Sequence, residues 1–137
     1  MNNKLLTDKV LNESWKDKYS PSSYNPLILK ENLINLINLN KDDDPNYIGD
    51  QILNSLGSNH CGTYYPIALL AVDVMITIEK NSRDNRKRKI CTLGILNDLS
   101  YFELEVKDVS DLYVNKIKKE FKEKMSLYHD DNFENLL

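Results

Sequence analysis

The chain has 137 residues, with 18 Lys and Arg against 21 Asp and Glu, a net charge of −3, and 41% apolar residues. At that length one domain is expected, and it can bury enough surface to stand without disulfides or metals. This balance excludes global disorder, a collagen-like repeat and a disulfide scaffold.

Residues 1–9 are polar and lack the apolar stretch of a signal peptide. The longest apolar run, Ile67 to Val72, falls far short of the roughly 20 residues that a membrane span needs. Cys61 and Cys91 are the two cysteines, and neither stands in a metal-binding spacing. Together these features predict a soluble, cytoplasmic protein with reduced thiols, no membrane partner and no cofactor. Four glycines and four prolines favour a few long elements over a many-turned β-sandwich.

Residues 1–20 hold a first helix, with Leu6, Val10, Leu11 and Trp15 near helical spacing. Two prolines and three serines between Ser20 and Pro26 then impose an irregular connection. Apolar positions 29, 33, 36 and 37 set a helical period over 27–40. The clearest start signal follows. Asp44 suits a cap, Pro45 the first helical position, and Ile48, Ile52 and Leu56 form a stripe that Gly57 stops. The acids at 42–44 complement the positive end of that helix dipole. Thr63 is the expected cap of a central, buried helix over 63–80, apolar from Ile67 to Ile78 apart from Asp73 and Thr77. Alternation around Val72 to Ile78 leaves a strand as the competing assignment, and the continuous length favours helix.

Ser82 or Asp84 opens the next helix, whose stripe is Ile90, Leu93, Leu96 or Asn97, and Leu99. Phe102 to Val106 alternates like a short extended piece. A last helix starts at Asp108 or Ser110 and runs to 128, with Tyr113, Ile117, Phe121, Met125 and Tyr128 on one face. The acidic tail, 129–137, is expected to be loosely attached. The predicted fold is all-α, about six helices in one domain. Two antiparallel hairpins fill 27–99, one pairing 27–40 with 45–56 and the other 64–80 with 84–99. Their midpoints lie about 38 residues apart, near the repeat length of HEAT and armadillo units.

Chemistry-bearing motifs are sparse. His60-Cys61 invites a nucleophile or metal assignment, but adjacent side chains seldom face each other productively, and a hydrogen-bonded turn accounts for the pair. A zinc site would need both histidines, His60 and His129, and both cysteines from distant places. Gly57 to Gly62 lacks the Lys-Ser/Thr of a phosphate loop. Residues 83–89 form a basic cluster of +4, with no aromatic interleaved, and read as a solvated helix start. Acids gather at Asp42, Asp43 and Asp44, at Asp98, Glu103, Glu105, Asp108 and Asp111, and at Asp130, Asp131 and Glu134. No two are spaced as a general acid and base. The chain is therefore expected not to be an enzyme, and to take no nucleic acid and no small-molecule substrate.

The stretch Asn59-His60-Cys61-Gly62-Thr63-Tyr64-Tyr65-Pro66-Ile67-Ala68-Leu69-Leu70-Ala71-Val72 resembles a pattern of small bacterial HEAT-like helical proteins. In that pattern His-x-Gly-Ser/Thr-x-Tyr-x-Ala precedes a buried, Ala-rich helix. The likeness covers roughly 45–99, and the chain departs from it at Pro66 and Asp73. Proteins that look like this include immunity proteins of polymorphic-toxin and contact-dependent growth inhibition systems. The resemblance implies stoichiometric neutralisation of a cognate toxin domain, a nuclease being the expected kind. A general helical scaffold or adaptor is the alternative.

Outside residues 83–89 the net charge is −7, which suits a basic partner. Asp42, Asp43, Glu103 and Glu105 are the expected charge contacts, with Tyr64 as an aromatic anchor. Asp44 is set aside as a cap.

Overall fold

A computed structural model describes residues 1–17, 19–58, 63–105 and 111–137, apart from the side chains of Asp111 and Asp131. Helix covers 68% of the described chain, so the all-α expectation holds.

Short polar side chains set most of the helix starts by accepting the first free backbone N–H groups. Asn2 caps α1 (Asn3–Asn12) and Asn25 caps α2 (Pro26–Ile37). Asp44 caps α3 (Pro45–Leu56) through the Asn46 N–H, with Pro45 in the first turn as its sequence predicts. Asn85, rather than Ser82 or Asp84, caps α5 (Arg86–Leu99) by accepting from the Arg88 N–H. Between them, α4 (Ala68–Lys80) buries most of its surface, and its exposed Asp73 pairs at 2.7 Å with Lys124. Helix α6 (Asp111–Met125) passes into one 3-10 turn, Ser126–Tyr128, and then α7 (Asp130–Leu136). The start expected for α6 at Asp108 or Ser110 lies outside the described residues.

Thr63 does not cap α4. Gly57–Ser58 (β1) and Thr63–Tyr64 (β2) pair antiparallel, and β2 pairs parallel with Glu103–Leu104 (β3). The Tyr65 N–H reaches the Leu56 carbonyl at 2.7 Å, so sheet pairing takes groups that a first helical turn would need. Gly57 is required here by close approach. A Cβ on it would stand 2.5 Å from the Thr63 carbonyl oxygen. The extended piece expected after Phe102 is present as β3.

Five helices close into a ring in the order α1-α2-α3-α5-α4, each packing on two neighbours. The HEAT-like stacking expected from the repeat spacing is not established by this packing, because α1 stands between α2 and α4. Leu6 and Val10 of α1, Leu33 and Leu36 of α2, Ile52 of α3, Met75 of α4 and Leu96 of α5 meet in one core. Trp15, beyond the end of α1, seals it and donates its indole N–H to the Val10 carbonyl at 2.7 Å. Ile117, Phe121 and Met125 bury one face of α6, as their spacing predicts, whereas Tyr113 of the same expected face is exposed and lies against the Tyr19 ring. The tail is not loose. Phe133 of α7 packs on the core, and His129 Nδ1 lies 2.8 Å from Ser100 Oγ.

Candidate functional site

The residues expected to meet a partner do not gather. Asp42 is exposed in the α2–α3 turn, where Asp43 accepts from the Asn40 N–H at 2.9 Å and gives its carbonyl to Lys87. Glu103 is exposed near Lys118, at 3.9 Å, beyond the other end of α5. Glu105 donates its N–H to the Tyr64 carbonyl. The two acidic pairs thus flank opposite ends of a helix of 14 residues, about 20 Å long. Tyr64 is not an anchor. It is fully buried beside Phe102, at 5.5 Å between rings, because its strand is the middle one of the sheet. Its hydroxyl has no partner among the described residues, and burial, then the Asp98 charge, push its pKa up. His60 and Cys61 lie outside the described residues.

The basic cluster is structural rather than a solvated face. Arg88 is buried and its guanidinium bridges four elements. It donates to Ser82 Oγ at 2.7 Å, to Asn3 Oδ1 and the Ile37 carbonyl at 2.8 Å, and to the Asn81 carbonyl at 2.6 Å. Burial lowers its pKa. Lys87 closes the α2–α3 turn through the carbonyls of Asn40, Lys41 and Asp43. Lys89 pairs at 2.7 Å with the buried Glu79. Arg83 and Arg86 are the exposed members.

Helices α3 and α5 run the same way, with Pro45 beside Cys91 and Gly49 beside Ile95. A groove of about 550 Å³ lies between them, a size usual for ligand sites. Ile90, 42% exposed, and Phe133 of α7 line it as well. Two glycines line it. At Gly94 a Cβ would meet nothing within 4 Å, and at Gly49 it would make ordinary contact with Ile95, at 3.5 Å. Neither glycine is demanded by packing, although each costs a helix interior roughly 1 kcal/mol relative to alanine.

Asp50 and Asp98 stand on the same groove. Desolvation, then the Asp50 charge, raises the Asp98 carboxyl above its ordinary value. No described cation pairs with either. Cys91 lines the groove as well, but burial pushes its thiol up to about 11, only partly opposed by Lys87. At neutral pH it is protonated and a poor nucleophile.

Ser100, His129 and Asp130 form a second cluster. Ser100 Oγ lies 2.8 Å from His129 Nδ1, and His129 Nε2 lies 3.2 Å from Asp130 Oδ2. The order imitates a catalytic relay, yet Ser100 Oγ gives its proton to the Asn97 carbonyl at 2.5 Å. That carbonyl competes with Nδ1 for the serine proton. Tyr101 also bonds Asp130, so the cluster ties the start of α7 to the end of α5.

No protein-family model, curated protein or solved structure matches this chain. Sequence reasoning passed over Asp50 and over both groove glycines, and grouped Asp98 with the acids beyond α5. One signal was present in Gly49-Asp50 and in Gly94 with Asp98 four residues on. Each set places a helix-interior glycine beside an acid on a neighbouring face.

Proposed function

We propose that this chain is a non-catalytic helical module that neutralises a bacterial toxin domain in the cytoplasm by tight, equimolar binding. The observation that carries this is the α3–α5 groove, with apolar walls and two carboxylates that no described cation balances. A surface of that kind suits a basic protein partner, and a toxin acting on nucleic acid has a basic cleft. The likeness of residues 59–72 to small helical immunity proteins points the same way. Two observations support a role without turnover: the protonated Cys91 thiol and the Ser100 proton held by its own helix.

The test begins with the neighbouring genes. A gene for a large secreted protein with a variable C-terminal domain supplies the candidate toxin. Co-expressed with this chain, that domain should form an equimolar complex and cease to kill. Killing that continues at full expression of the chain rejects the immunity function. A stable complex that leaves toxicity intact assigns the scaffold role instead.

A further inference from the structure

Three features of the groove converge. Its walls are apolar, Gly94 leaves room that the fold itself does not use, and Asp50 and Asp98, which both line it, repel each other. A groove closed by its own side chains would have alanine or larger at 94, where nothing stands in the way. A cation entering between the carboxylates would remove their repulsion. Guanidinium suits two acceptors better than ammonium, because its planar fork offers five donors and sheds water more readily.

We infer that the α3–α5 groove docks a segment of a partner protein by taking an arginine side chain between Asp50 and Asp98, with an apolar neighbour of that arginine seated over Gly94. This rests on the protein-binding function proposed above and adds the surface and its chemistry. The arginine supplies charge specificity, and the apolar residue supplies the desolvated contact that slows release. Lys87 does not compete for the carboxylates, since its ammonium is held by three backbone carbonyls.

The probe is propylguanidinium, an arginine side chain without its backbone, titrated into the full chain and followed by amide NMR. Saturable shifts should be confined to residues 49–50 and 94–98, with a dissociation constant of about a millimolar, as a single side chain gives. The double variant D50N/D98N, exposed at both positions, should keep the native spectrum and weaken binding at least ~10-fold. Gly94→Leu should abolish binding by filling the floor, and propylammonium should bind less well than propylguanidinium. Shifts that persist in D50N/D98N, or that spread equally to Asp42 and Glu103, overturn the assignment. So does micromolar binding of the probe alone, which would make the groove a site for a free small cation. A toxin complex indifferent to D50N/D98N would sink the groove and leave the immunity function standing. A groove that takes the probe in a protein that forms no toxin complex would do the reverse.

Discussion

The buried Arg88 guanidinium makes four hydrogen bonds. It is a cation held by neutral acceptors on α1, α2 and the α4–α5 turn, with no carboxylate partner among the described residues. Removing it leaves several carbonyls without their donor inside the core. Arg88→Ala should therefore cost about 3 kcal/mol in urea unfolding, and Arg88→Lys should recover only part, because an ammonium cannot reach all four acceptors. Asp98 acts in the opposite direction. Its carboxyl titrates higher in the folded chain than in the unfolded one. The folded state therefore binds the proton more tightly, and its advantage is complete below the unfolded pKa and lost as pH rises through the folded one. Asp98→Asn should thus gain stability over the parent between about pH 3 and neutrality, by no more than ~0.5 kcal/mol at so exposed a site. Thermal melts across that range check the sign. A constant difference at all pH values would show that the carboxyl is unstrained.

Each element shows which local signals survive folding. Helix α3 was legible to the residue at its start, because Asp44-Pro45 is a cap and a first turn in two adjacent letters. The buried faces of α2 and α6 followed from period alone. Helix α4 was placed correctly but begun four residues early, since Thr63 is also a good strand residue and its partner strand lies forty residues away in sequence. Such a pairing leaves no trace near Thr63. The basic run 83–89 misled for a related reason. Composition shows charge, while only the fold shows that Arg88 turns inward and Arg86 outward. Helix α5 also offers a clean variant. Gly94→Ala adds a methyl group where nothing obstructs it, so it should raise stability by roughly 0.5–1 kcal/mol and the melting temperature by about 2–4 °C. If the groove is a docking surface, the same change should weaken binding of the propylguanidinium probe. A stabilised variant with unchanged affinity would argue that position 94 lies away from the interface.

At the scale of the molecule, charge and closure are linked. The cations at 87, 88 and 89 are engaged in holding turns and helices together, so the basic segment is less available to outside ligands than its composition implies. The acids at 50 and 98, which line the groove, have no such internal duty among the described residues. Surface potential is therefore set less by the count of charges than by which of them the fold employs. The ring itself depends on α1 packing between α2 and α4, and the Asn3–Arg88 contact spans 85 positions in the chain. This closure has a consequence in time. During synthesis α1 leaves the ribosome first, yet it cannot be locked until α5 has followed it, so a nascent chain halted after α4 carries the inner faces of four helices with no Arg88 to fasten them. Long sequence separation slows the final step, and the growing chain exposes apolar surface until α5 is clear of the tunnel.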